Sequence, residues 1–366
     1  MMEKIYNTKS IYIHIPFCSN ICSYCDFCKF YYNKKIVSNY LDSLTLEIKE
    51  KYLGEEIDTI YIGGGTPSSL SLSELEKLFS VLEIINFSSD VEFTFECNVL
   101  DLTEEKLIFL KEHGVNRLSI GVQSFNKEIL SFLERRYDKN IILEKIRLAK
   151  KYFSNINVDL MYAVPGEDLN ILKNDLELFL SLDIKHISTY SLIIEEHTKL
   201  SINNINYIDD ELDFKMYELI HDTLIDNGFI HYEISNFSKE GYQSKHNLTY
   251  WKNLPYYGFG LGASGYIDNI RYTNTRNLNK YLAGNYILEK EIIDDKLLAS
   301  NYAILGFRTI YGVFKKEFES LFGISLVDYF KVSDLLEDNI LLENEKCYYI
   351  NPKYWYVLNE ILVKFI

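Results

Sequence analysis

The sequence predicts an α/β fold: a parallel sheet built from six strand–helix units, followed by a smaller, mainly helical unit. Three observations lead there. Stretches with strand-like and helix-like apolar periodicity alternate through the first two thirds of the chain. A helix-length segment separates each strand from the next, as parallel neighbours require, because their connection must cross the sheet. Glycines, cysteines and acids gather just after the strands, where α/β folds place their chemistry. A closed barrel takes about eight such units, so six leave it open.

The first strand is the apolar run Ile11-Tyr-Ile-His-Ile15, and residues 36–52 then carry Val37, Leu41, Leu44 and Ile48 at helical intervals. A strand over 57–62 runs into Gly63-Gly-Gly-Thr66-Pro67, and Ser71 with Glu74 forms a capping box opening a helix to residue 85. The third unit is a strand over 91–96 and a helix from 101 or 102 to 113, stopped by Gly114. Strands over 116–120, 156–161 and 185–190 follow, with helical stretches over 127–152, 169–182 and 210–227. Beyond residue 230 the periodicity weakens. The expected division is 1–230 for the strand–helix units, 231–290 for a loop-rich aromatic extension, and 291–366 for a small unit of helices and short strands.

Composition narrows the function classes. Hydrophobic residues at 47% and charged residues at 25% are ordinary for a globular chain. The net charge of −15, with no Lys/Arg cluster, argues against a protein that grips nucleic acid by its phosphates. No apolar signal core opens the sequence and no apolar run reaches about eighteen residues, so the expected location is cytoplasmic. Four of the six cysteines are bunched, unlike a secreted disulfide framework, and Cys97 and Cys347 read as packing thiols.

Cys18-Ser-Asn-Ile-Cys22-Ser-Tyr-Cys25 follows the first strand directly. Three thiolates can hold a four-iron cluster yet leave one iron without a protein ligand, and an open metal position can accept a chelating small molecule. Cys28 supplies a fourth sulfur, so a closed tetrahedral zinc site is the alternative. The cysteine spacing, set in Tyr12-Ile-His14-Ile-Pro16-Phe17-Cys18 and Tyr24-Cys25-Asp26-Phe27, resembles the radical S-adenosylmethionine (SAM) superfamily in its coproporphyrinogen oxidase-like branch. The resemblance implies a partial (β/α)6 barrel with a winged-helix-like C-terminal domain, and a [4Fe-4S] cluster on Cys18, Cys22 and Cys25. It also implies SAM on the open iron, a 5′-deoxyadenosyl radical on reduction, and an electron donor as a partner. Cys28 is then not a ligand.

Further motifs match that resemblance, each beside a plainer reading. Gly64, Gly65 and Thr66 meet the amino group of SAM in the family, and otherwise make a tight turn. Glu96 is a cofactor contact by resemblance or an acid satisfied by loop amides, with Val99 where the family has proline. Gln123, in Gly121-Val-Gln-Ser-Phe125, and Arg135 match in type and spacing and suit polar parts of a ligand, the Arg fork a carboxylate; alone, Arg135 would be a solvated helix charge. Asp159, opening Asp-Leu-Met-Tyr-Ala-Val-Pro165-Gly166, is a cofactor contact or a buried acid bonded to backbone. Tyr12 and Tyr24 approach SAM in the family and otherwise are aromatic core; His14 reads as structural.

His246-Asn-Leu-Thr-Tyr250-Trp251, followed by Gly260-Leu-Gly-Ala-Ser-Gly265, selects between branches. A neutral imidazole can bind haem iron, and Tyr and Trp can pack on a macrocycle; a loop histidine is otherwise hydrogen-bonded scaffold. The string resembles the HemW haem-chaperone branch rather than the oxygen-independent coproporphyrinogen III oxidases. So do Phe27, where the oxidases carry a further cysteine, and the short segment before Cys18. This implies a protein that binds haem, with His246 as candidate ligand, and delivers it to haem-accepting proteins, those at the membrane surface included. Oxidative decarboxylation of coproporphyrinogen is the second expectation, and a zinc-stabilised binding protein without redox chemistry the third. No catalytic residue is assigned.

Overall fold

The computed structural model describes residues 7–366. The stretch in which a signal core is sought begins in residues 1–6, outside them. Six parallel strands form where the sequence predicts them: β1 (Ser10–Ile15), β2 (Ile57–Gly64), β3 (Phe87–Asn98), β4 (Arg117–Gln123), β5 (Asn155–Tyr162) and β6 (His186–Ser191). Their crossovers are α1 (Lys34–Lys51), α2 (Leu72–Leu82), α3 (Glu104–Glu112), α4 (Lys127–Phe132) with α5 (Lys139–Lys150), and α6 (Leu169–Ser181). The stretch predicted as helical over 127–152 is therefore two helices, parted where Glu134 takes a φ of +58°. After β6 come α7 (Lys199–Ile202) and α8 (Asp210–Asp226).

Three short strands missing from the sequence reading extend the sheet: β7 (Ile230–Glu233), β8 (Asn236–Ser238) and β9 (Tyr257–Phe259). The order is β9-β1-β2-β3-β4-β5-β6-β8-β7, with β9 parallel to β1 and β8 antiparallel to both β6 and β7. Strands of three or four residues carry too little periodicity to be read from a pattern of two. Along the six main strands apolar positions such as Ile13, Ile60, Phe95, Ile120, Val158 and Ile187 are fully buried in the main apolar core. The alternate positions bond one another across strands on the inner face, as Tyr61 with Glu96 at 2.7 Å and Asn157 with Ser119 at 2.8 Å.

Helix α9 (Lys245–Trp251) closes one end of that inner face, where the sequence reading expects a loop. Ser244 caps it by accepting from the Asn247 N–H at 3.2 Å. The buried Glu92 carboxylate on β3 accepts from the N–H groups of Lys245 at 3.0 Å and His246 at 2.9 Å. The extension also carries a three-stranded antiparallel sheet of Ser264–Ile267, Ile270–Asn274 and Ile287–Ile292. A second apolar core, running from Ala299 to Phe365, gathers helices and a sheet in which Cys347–Ile350 lies between Val313–Phe314 and Leu341–Glu343.

Glu47 ties the extension to the sheet. Fully buried on α1, it accepts from Gly260 N at 2.8 Å, Tyr281 OH at 2.7 Å and Asn274 Nδ2 at 2.7 Å, and pairs with Lys51 at 2.6 Å. Removing the carboxylate strands all of these donors. Glu47→Ala is expected to cost ~3–5 kcal/mol in denaturant titration, and Glu47→Gln, which keeps an acceptor oxygen, distinctly less. An unchanged midpoint for Glu47→Ala would refute this role.

Candidate functional site

The cysteine loop leaves β1 and returns through a short parallel pairing of Phe17–Cys18 with Phe30–Tyr31. Cys18, Cys22 and Cys25 line one end of a cavity of about 410 Å³ within the open barrel. Cys28 does not line it. Its side chain is buried behind the loop, where a Cβ added to Gly262 would lie 2.8 Å from the Cys28 Cβ. Among the described residues no group of three or more His, Cys, Asp and Glu side chains is arranged to hold a single ion. A four-iron cluster spreads its thiolates over separate irons, and three thiols on one cavity wall suit that donor pattern. Burial pushes the Cys18 thiol up to about 11, against the hydrogen bond that Thr66 Oγ1 donates to its sulfur at 3.4 Å. A bound metal reverses that preference by stabilising thiolate.

The glycine triplet at the end of β2 is pressed on from three sides. A Cβ on Gly64, whose φ is +115°, would meet the His14 ring at 2.5 Å. One on Gly63 would meet the Glu96 carboxyl carbon at 2.7 Å, and one on Gly65 the Pro16 carbonyl carbon at 2.8 Å. Backbone therefore forms the cavity wall here, a tighter requirement than a turn. His14 is structural as expected: its Nε2 bonds the Cys28 carbonyl at 2.8 Å and its Nδ1 the Tyr12 hydroxyl at 2.9 Å. Tyr12 is thereby engaged with His14 and, unlike Tyr24, does not line the cavity.

The remaining expected residues meet in the cavity wall. Glu96 accepts from Tyr61 OH at 2.7 Å and from Gly64 N at 3.0 Å, and burial pushes its carboxyl up to about 7. Asp159 accepts from Asn157 Nδ2 at 2.8 Å and is likewise raised, chiefly by burial. Arg135 donates from Nη2 to Tyr24 OH at 2.9 Å and from Nη1 to Asn98 Oδ1 at 3.5 Å, while its Nε has no partner. Gln123 sits beside it at a bulge in β4 with a φ of +74°. Gly64, Gly65 and Thr66 complete the wall beside the cysteines.

His246 stands elsewhere. It is fully buried in the floor beneath the cavity, its Nδ1 bonded to Thr59 Oγ1 and its Nε2 to Tyr250 OH, each at 2.8 Å, with its ring stacked on Tyr61. Burial pushes its pKa down to about 3, so the ring is neutral with both nitrogens engaged. His246, expected as a candidate haem ligand, is thus placed in the floor with both ring nitrogens hydrogen-bonded. The sequence reading also misses Arg117, Asn157 and Asn247, all of which line the cavity. The polar–apolar alternation Arg117-Leu-Ser-Ile-Gly-Val-Gln123 is the signal that could have placed Arg117 on the inner face.

Comparison with known proteins follows the same lines. The profile of the Radical SAM superfamily matches residues 12–179, and that superfamily implies a [4Fe-4S] cluster and SAM. The chain is 37% identical to the heme chaperone HemW of Lactococcus lactis, over 98% of this chain and 97% of that one. It is 38% identical to the heme chaperone HemW of Bacillus subtilis, over 98% and 99%. Among solved structures, the coproporphyrinogen III oxidase (HemN) of Escherichia coli superposes with a TM-score of 0.87 at 21% identity, covering 100% of this chain and 91% of that one, a likeness of fold. By its full-length similarity to these relatives, the chain belongs to the HemW family of the radical SAM superfamily.

Proposed function

We propose that this chain binds haem and delivers it to haem proteins, with a [4Fe-4S] cluster on Cys18, Cys22 and Cys25 and a SAM site beside it. The observation that carries the reading is identity of 37% and 38% with two heme chaperones along 98% of the chain. Coproporphyrinogen oxidation has the likeness in fold behind it, and a fold does not fix a reaction. In this reading residues 1–230 hold the cluster and SAM, 231–290 close the barrel, and 291–366 form a separate small domain around the second core. An electron donor and haem-accepting proteins are the partners, met in the cytoplasm or at the membrane face; no helix among the described residues is long and apolar enough to cross a membrane.

The geometry supports these roles residue by residue. Gly64 and Gly65 bring backbone against the ligand, and Thr66 is held by Cys18 beside its amino group. Glu96 and Asp159 offer acceptors to hydroxyl or ammonium groups, and Arg135, steadied by Tyr24, offers a fork to a carboxylate, with Gln123 alongside. When bound, the reduced cluster supplies one electron to the sulfonium of SAM. A cavity of about 410 Å³ lies near the lower end of the ~300–1,000 Å³ range of small-molecule sites. It has room for a nucleoside-sized ligand and not for a macrocycle as well, so haem sits outside it.

Anaerobic purification should give a brown protein with about four irons per chain. Serine at Cys18, Cys22 or Cys25 should abolish that iron, and Cys28→Ser should retain it. Iron loss from Cys28→Ser equal to that from Cys22→Ser would overturn the ligand set.

Glu96 gives a pH dependence with a definite sign. If its carboxylate meets a cationic or hydroxyl-bearing ligand, binding requires the ionised form, which falls away below the free-site value of about 7. The apparent Kd for SAM, by anaerobic equilibrium dialysis, should then rise about tenfold per pH unit below that point. Glu96→Gln should flatten the profile, and a flat profile in the wild type would count against the contact.

Haem titration separates the two readings of His246. His246→Gln should lower stability yet leave the Soret maximum of bound haem in place. A shifted band in a folded variant would restore the axial role.

A further inference from the structure

We propose that Arg117 and Asn247 form a carboxylate-binding subsite at the closed end of the barrel cavity, opposite the cysteine loop. Arg117 is only 2% exposed and among the largest fully buried side chains, yet it lines the cavity. Its guanidinium makes one long hydrogen bond, Nη1 to Thr94 Oγ1 at 3.5 Å, and its Nε has no partner. Among the described residues Arg271, not Arg117, is the arginine that reaches a carboxylate. Asp159 lies near enough for its charge to be felt by Arg117 but forms no ion pair with it, so a buried guanidinium keeps a donor without an acceptor, which is costly.

The acids closest in the barrel are already engaged. Asn157 donates to Asp159 and to Ser119 at 2.8 Å each and accepts from Ser188 at 3.1 Å, so Asp159 is held by a side-chain hydrogen bond while Arg117 bears on it only through space. Glu96 is held by Tyr61 and Gly64. Asn247 reaches the cavity from α9, and its side-chain amide has no hydrogen-bond partner among the described residues, whereas its neighbour His246 is bonded on both ring nitrogens. An unpaired fork and an unpaired amide together suit the two oxygens of one carboxylate. Glu96 and Asp159 in the same cavity weigh against a dianion such as a phosphate and leave a monoanion as the class.

This inference rests on the reading of the cysteine end as the SAM site, since a nucleotide anchored there leaves the closed end for a second ligand. The test uses the full-length, anaerobically purified protein with its cluster, saturated with SAM and titrated calorimetrically with propionate, with propionamide as the uncharged control. Wild type should bind propionate and not propionamide. Arg117→Gln and Asn247→Asp should each weaken propionate at least tenfold while changing the Kd for SAM less than twofold. Asn247→Asp carries the test if Arg117→Gln does not fold, because it sets a carboxylate against an intact Arg117 at a half-buried position. No propionate binding in wild type, equal binding by the variants, or loss of SAM affinity in place of propionate affinity each overturns the subsite. Failure of wild type to bind SAM would instead remove the reading of the cysteine end.

Discussion

A buried carboxylate on β3 meeting the start of a seven-residue helix decides the shape of this molecule's interior. Glu92 accepts two successive backbone N–H groups of α9, and its Oε1 lies 3.4 Å from the Ser244 hydroxyl. An open parallel sheet that turns polar residues inward must satisfy them without water, and a short helix brings unpaired N–H groups ready for an anion. With α9 seated, Thr59 finds His246 at 2.8 Å and Ser10 finds Thr249 at 3.0 Å, so the lowest polar layer of β1 and β2 closes on the helix. One end of the barrel is sealed as a result, and ligands have only the other.

That other end is organised by close approach rather than by charge. Three glycines in succession let β2 fit between His14, Glu96 and the cysteine loop, each within contact distance of an absent Cβ. A similar device works from behind: Gly260, with a φ of +100°, leaves room for the His14 carbonyl, and Gly262 for Cys28. Glu47 holds Gly260 in place through its N–H. The cysteine loop is thus backed by β9 and the extension, which explains why segments more than two hundred residues apart in sequence serve one small site.

Much of this was legible beforehand, for physical reasons. Long strands with fully buried aliphatic positions announce themselves by period, so β1 to β6 fall where the alternation puts them. Chemistry that needs several residues at fixed short spacing is equally visible, and the three cysteines, Gly64, Gly65, Thr66, Glu96, Gln123, Arg135 and Asp159 all line one cavity. What escaped was whatever depends on distant partners. β9 is three residues long and exists because β1 offers it an edge, and α9 is a helix because Glu92 and Ser244 satisfy its first turn. The bond between Tyr12 and His14, two residues apart on one strand, is likewise not readable from the motif that contains both.

The string that begins at His246 shows how one short motif serves several surroundings at once. Successive helix residues point roughly 100° apart, so adjacent members of one string face different surroundings. Here His246 turns into the floor against Thr59 and Tyr250, Asn247 into the ligand cavity, and Leu248 and Trp251 onto a cleft of about 280 Å³ shared with the C-terminal core. A string that must satisfy a floor, a cavity and an inter-core cleft at once is constrained by its packing on each of these sides.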